Sequence, residues 1–191
     1  MKISIIRGDI TKVKVDAIVN AANFGMLGGG GVDGAIRRAA GHSLQEECVR
    51  LRKEVIPNGL ETGKAIVTKA YNLPAKIIIH TVGPRYYSGD INLLKNCYTN
   101  CLKLAEENNC ESIAFPAIST GAYGCPIEKS AEIVSEVLEN FKSDIIKEII
   151  LVLFDEEDYE IYKRVLGNGM KTDLNEIIEK IKLEGYDIEN I

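Results

Sequence analysis

Short apolar, β-branched runs alternate with stretches of helical period along most of the chain. Residues 2 to 6 and 15 to 19 (VDAIV) are bounded by polar and turn residues, the pattern of buried strands. Beyond a run of glycines, Val32, Ala35, Ile36, Ala39 and Ala40 recur at helical spacing until Gly41 supplies a stop. A second helical stretch covers about 44 to 53. NGLETG then turns the chain into KAIVTKAY, a candidate strand. KIIIHTV, residues 76 to 82, is almost continuously apolar and ends at Gly83-Pro84, so it predicts a central strand covered on both faces. From Leu94 through Cys97, Cys101, Leu102 and Ala105 the period returns to 3.6, and SIAFPA is the next strand. Pro126 opens a helix whose apolar face is Ile127, Ala131, Val134, Leu138 and Phe141. KEIILVLF is a further central strand, and a helix follows from Glu156 to Leu166.

Strands alternating with helices imply an α/β sandwich with a largely parallel sheet, and a ligand crevice at the strands' C-terminal ends. The candidate boundary is GNGM at 167–170. It divides a domain over 1–166 from a C-terminal helical extension over 167–191, expected to pack back through Leu174, Ile177, Ile178 and Ile181. At 191 residues the chain fits one domain able to bury roughly two thirds of its unfolded surface.

The chain is 46% apolar and 27% charged, which excludes disordered and fibrous classes. A net charge of -5 argues against a general nucleic-acid backbone binder. Five cysteines without paired spacing suit a reducing compartment, no apolar run reaches the length of a membrane span, and the N-terminal one is too short for a signal peptide. The expected location is the cytoplasm.

Chemistry concentrates in NAANFGMLGGGGVDGAI, residues 20 to 36, which reads either as a flexible linker or as a pocket wall of bare backbone. Gly29, Gly31 and Gly34 formally match the dinucleotide fingerprint. Gly29, however, stands nine positions beyond Asn20, where that fingerprint begins at the strand end, and the expected acid would fall at Glu54 in a helical stretch. GLETGKA fails as a P-loop on spacing and on the missing Ser or Thr. The glycines do offer unobstructed N–H groups just before a helix N-terminus, suited to an electron-rich ligand. Asp33 there is either a dipole-complementing acid, worth roughly a few tenths of a kcal/mol, or a pocket acid. Asn20 and Asn23 are either Asx-turn caps or amides that meet a sugar's hydroxyls. AISTGAYGCP is a second small-residue loop between strand and helix, and the pair could cradle a diphosphate. His80 inside an apolar strand reads as a satisfied core imidazole. With two histidines and no C-x-x-C or H-E-x-x-H spacing, no metal is expected. A Ser119, His80 and Asp33 triad lacks a nucleophile elbow.

Taken in order, GDIT (8–11), DAIVNAAN (16–23), GGGGVDGAI (28–36), IHTVGP (79–84) and FPAISTGAYG (115–124) resemble a macro domain, most closely the group of MacroD-type hydrolases and bacterial O-acetyl-ADP-ribose deacetylases. The resemblance covers about 1–166. It implies a three-layer α/β/α sandwich with a mixed, largely parallel sheet, and hydrolysis of O-acetyl-ADP-ribose or of mono-ADP-ribose esters on acidic side chains, with no cofactor. Mono-ADP-ribosylated proteins are the implied partners; a non-catalytic ADP-ribose reader is the alternative. By position, Asp9 and the Ile10 backbone would contact adenine and Phe154 would stack on it, although Phe154 also reads as the last core residue of its strand. Ser119, Thr120, Gly121, Ala122 and Tyr123 would wrap the diphosphate, opposite the wall made by Gly29, Gly30, Gly31 and Val32. Asn20, Asn23 and Asp33 would surround the distal ribose, with Asn23 and Asp33 catalytic: Asp33 to position and activate water, Asn23 to hold ribose hydroxyls. Two positions depart from the hydrolytic pattern: Arg37, where histidine is frequent, and Cys125, where many hydrolases have an aromatic.

Overall fold

The computed structural model describes residues 1–169. Six strands, β1 (Lys2–Arg7), β2 (Ala17–Ala22), β3 (Ala65–Lys69), β4 (Ile77–Val82), β5 (Ser112–Phe115) and β6 (Glu148–Leu153), form one sheet in the order β1-β6-β5-β2-β4-β3. All neighbours are parallel except β3, which runs antiparallel to β4 along one edge. Helices α1 (Gly31–Ala40) and α2 (His42–Glu54) cover one face, and α3 (Leu93–Glu107), α4 (Ile127–Asn140) and α5 (Glu156–Gly169) cover the other. The sheet is therefore mixed and the architecture is the expected three-layer α/β/α sandwich.

The layers follow from strand alternation. In β2, Ala17 and Val19 join the core under α3 and α4, whereas Ile18 and Ala22 join the core under α1 and α2. Asn20 shares the second face, so the pleat aims it at α1. Cys97 and Cys101 are wholly buried, as their one-turn spacing predicts, and all five cysteines are unpaired. Burial raises the Cys101 thiol well above its ordinary value, as it raises Cys97.

Most boundaries agree with the sequence reading to within one or two residues, and two larger differences matter. Strand β2 runs three residues past Val19, because its parallel ladder with β4 continues from Asn20 opposite His80 to Ala22 opposite Val82. Helix α5 continues through Gly167 to Gly169 instead of stopping at Leu166. The helix expected beyond, with Leu174, Ile177, Ile178 and Ile181, lies outside the described residues.

Candidate functional site

A cavity of about 640 Å³ opens at the C-terminal ends of the parallel strands. Gly8, Asp9 and Ile10 after β1, Pro116, Ala117, Thr120 and Gly121 after β5, and Val152 to Asp155 at the end of β6 form its floor and one wall. The opposite wall is the first two turns of α1, through Gly31, Val32, Ala35 and Arg38, with Asp158 of α5 at the rim. Seven expected residues thus meet in one cavity: Asp9, Ile10, Gly31, Val32, Thr120, Gly121 and Phe154. Arg38, Ala35 and Asp158 were not anticipated, although Gly31, Ala35 and Arg38 recur at i, i+4 and i+7, a spacing that places them on one helix face.

Asp9 caps a short 3-10 turn, its Oδ1 accepting from Thr11 Oγ1 at 2.7 Å and Thr11 N at 2.9 Å. The hydroxyl bond lowers its pKa, with partial burial opposing and the Thr11 backbone N–H and Lys12 assisting. A carboxylate kept ionised at the cavity floor is a ready acceptor for an amino group. Asp158 is shifted the other way, raised by burial and by Asp155 and Glu157. Phe154 follows the last residue of β6 and is 75% exposed, so its ring is a cavity face and not core.

The loop after β5 is held tightly from within. Cys125 N donates to Ser119 O and Gly124 N to Gly121 O, both at 2.9 Å, and Thr120 Oγ1 donates to Ala117 O at 3.0 Å. Ser119 has φ of +69°, a left-handed conformation uncommon outside glycine, and its buried Oγ has no partner among the described residues. Tyr123 O accepts from Tyr86 N at 2.8 Å, and its ring lies 5.0 Å below the Arg85 guanidinium carbon. The Cys125 thiol is buried and points to Pro126 O at 3.6 Å. Ser119, Ala122 and Tyr123 do not line the cavity itself but belong to this same loop.

Asn20 in β2, Asn23, Gly29 and Gly30 before α1, and Asp33 within it also lie outside the cavity lining. Here Asp33, only 4% exposed, sits in the first turn of α1. Its Oδ1 accepts from Asn20 Nδ2 at 2.7 Å, and Arg37 Nε lies 3.1 Å from both carboxylate oxygens. Gly29 covers the pair formed by Asn23 and Asp33: a Cβ there would stand 3.2 Å from Asn23 Nδ2 and 3.3 Å from Asp33 Oδ2. A side chain there would make both atoms give by a few tenths of an ångström, and Oδ2 is the carboxylate oxygen turned to the loop.

Asn20 requires a correction. It was expected to face a ligand, but it is wholly buried, because β2 extends past it and the pleat turns its side chain under α1. One Nδ2 hydrogen goes to Asp33 and the other to His80 Nδ1 at 3.0 Å, while His80 Nε2 stands 2.9 Å from Thr68 Oγ1. A carboxylate only accepts, so the amide nitrogen must face Asp33; His80 Nδ1 is then the acceptor and Nε2–H the donor. Burial, and secondarily the charge of Arg37, push His80 down to about 3, so the imidazole is neutral. Asn20 therefore braces Asp33 from within the core, and His80 is the satisfied core imidazole its strand implied.

No cluster of three or more His, Cys, Asp or Glu that could hold a metal ion occurs among the described residues.

A family model described as the macro domain matches residues 19–134. The O-acetyl-ADP-ribose deacetylase of Escherichia fergusonii is 48% identical over 170 residues, covering 86% of this chain and 95% of that protein. Human ADP-ribose glycohydrolase MACROD2 is 46% identical over 198 residues, 99% of this chain but 45% of its own length. A structure of the Oceanobacillus iheyensis macrodomain with ADP superposes with a TM-score of 0.84 at 43% identity, covering 88% of this chain and 91% of that one. Three further structures of that macrodomain carry a replaced asparagine, glycine and aspartate, separated by seven and three residues, the same intervals that separate Asn23, Gly30 and Asp33 here. With those five ordered motifs, this sheet order and these matches, the chain belongs to the macro domain family.

Proposed function

We propose that the chain binds ADP-ribose along this cleft and hydrolyses esters at its distal ribose: O-acetyl-ADP-ribose, and mono-ADP-ribose carried on acidic side chains of proteins. The observation that carries the reading is the convergence of Asn23 Nδ2 and Asp33 Oδ2 on Gly29, beside the open backbone that leads into α1. In this reading Asp9 and the Ile10 backbone take the adenine edge and Phe154 its face. Gly30, Gly31 and Val32 oppose Ser119, Thr120, Gly121, Ala122 and Tyr123 across the diphosphate, where a helix N-terminus favours negative charge. Asn23 has one amide hydrogen on Gly28 O at 2.8 Å and a second for a ribose hydroxyl. For the acetyl ester, water oxygen adds to the acyl carbon, the acyl–oxygen bond to the ribose breaks, and the departing ribose oxygen takes a proton, giving acetate and ADP-ribose. Asp33 Oδ2 orients that water and draws on its proton.

The working unit is the domain expected over 1–166, which α5 carries on to Gly169, and the residues beyond are an appended segment. No helix among the described residues is long and apolar enough to cross a membrane, and unpaired buried thiols fit a reducing cytoplasm.

The test measures acetate release from O-acetyl-ADP-ribose and ADP-ribose release from a protein modified on acidic side chains. Asp33→Ala is expected to slow both about 100-fold or more. A wild-type chain no faster than that variant overturns the hydrolase. One observation favours a reader: Arg37 Nε spans both Asp33 oxygens, compensating the charge a base would use. Saturable ADP-ribose binding without turnover of either substrate decides for it.

A further inference from the structure

The loop between β2 and α1 is held by side chains at three consecutive carbonyls. Arg37 Nη2 donates to Met26 O at 2.9 Å, Gln45 Nε2 to Leu27 O at 3.0 Å, and Asn23 Nδ2 to Gly28 O at 2.8 Å. Arg37 Nη1 donates to Gln45 Oε1 at 2.7 Å, which aims the Gln45 amide at the loop. Its Nε is the atom paired with Asp33. One guanidinium thus joins the loop backbone, α2 and the buried carboxylate, using three nitrogens in one rigid plane.

We propose that Arg37 and Gln45 are positioning residues: they hold the 26–31 loop in its ligand-ready shape before ligand arrives, and they fix Asp33 relative to it. The proposal rests on the reading of the cleft as an ADP-ribose site. A run of four glycines loses more backbone freedom on ordering than any other sequence, so a loop left free would charge that cost against binding. Arg37 and Gln45 fix Met26 and Leu27, the residues that lead into the run, and Asn23 fixes its first member, Gly28, so the entry to the run is ordered during folding. Neither alternative cation does this. Lysine has one nitrogen on a flexible stem, and histidine has two ring nitrogens on a shorter one, whereas the arginine fork serves Asp33, Gln45 and Met26 O at once.

The experiment uses the full chain, free ADP-ribose as the binding probe and O-acetyl-ADP-ribose for kinetics. Gln45→Leu removes the hold on Leu27 O and the outer stop of Arg37 while leaving the Arg37–Asp33 pair. It is expected to raise Kd and KM roughly tenfold, with the loss falling on KM and not on kcat. Arg37→Lys is expected to raise KM and lower kcat together, because Asp33 also loses its holder. In both, exchange of the buried Met26 amide of the ligand-free protein, which donates to Asn23, speeds up by roughly tenfold. A merely less stable variant would lose active fraction, lowering apparent kcat with KM intact. Should Arg37→Lys fail to fold, Gln45→Leu, at a half-buried position, decides alone. Wild-type Kd, KM and exchange in Gln45→Leu overturn the proposal. If the wild-type chain binds no ADP-ribose, the functional reading falls, and unchanged exchange in Gln45→Leu still overturns the loop hold separately.

Discussion

Acid should weaken this fold through His80 in particular. The imidazole is wholly buried, bonded on both nitrogens, and pushed from 6.5 down to about 3 by burial first and by Arg37 second. Its folded value lies below its unfolded one, so between those values the unfolded chain takes a proton that the native chain refuses. The contribution is fully present above pH 6.5 and is lost as pH falls toward 3. Over the window from pH 7 to pH 5 a single such group costs about 2 kcal/mol, short of the limiting slope of about 1.4 kcal/mol per pH unit because the unfolded imidazole is only partly protonated near pH 7. For a domain of this size that is roughly 4–8 °C in Tm. The assay is urea unfolding of wild type and His80→Gln at both pH values. His80→Gln is expected to be less stable at pH 7 but to lose about 2 kcal/mol less on acidification. The chain's acids and the exposed His42 are common to both proteins and cancel in that difference. Equal losses in the two proteins would refute a neutral buried His80, and with it the tautomer that lets Asn20 hold Asp33.

Gly29→Val should keep the fold, since the backbone there is not in the left-handed region, yet its Cβ, 3.2 Å from Asn23 Nδ2 and 3.3 Å from Asp33 Oδ2, should push both aside. Turnover of the folded protein, checked by circular dichroism, is expected to fall at least tenfold, and an active Gly29→Val would contradict the convergence of those two atoms. Phe154→Ala removes a ring that is 75% exposed, so stability should change by less than about 0.5 kcal/mol. Calorimetric affinity for ADP-ribose should nevertheless drop about 10- to 100-fold, the worth of one stacked base; unchanged affinity would remove Phe154 from the site.

Arg37 and Cys125, the two departures from the hydrolytic pattern, have different consequences. Cys125 lies under the loop after β5 with its thiol against Pro126 O, so its effect on a ligand passes through the shape of that loop. Arg37 touches Asp33 directly and, through Gln45 and Met26 O, reaches the glycine loop as well. Its combination of charge compensation and geometric restraint is why hydrolase and reader are separated by turnover and not by binding.

What the chain's own pattern determined was local and repetitive. Short apolar runs bounded by turn residues located all six strands, and the 3.6-residue period with its caps located all five described α-helices, because burial leaves its mark residue by residue. The two small-residue loops were also legible, since each joins a strand to a helix. The side-chain assignments that failed or stayed open depended on where an element ends. Val15 to Val19 read as a complete strand, and only the ladder with β4 carried β2 on to Ala22, turning Asn20 from a ligand contact into a support for Asp33. Phe154 could be core or platform until the strand ended one residue before it. Arg37 could be named as a departure, but its bonds to Asp33, Gln45 and Met26 O exist only because α1, α2 and the loop meet at one point. Periodicity encodes which face of an element is buried. The partner across that face is set by packing among segments far apart in the chain, and that decided which polar groups are bonded inside the core and which line the cavity.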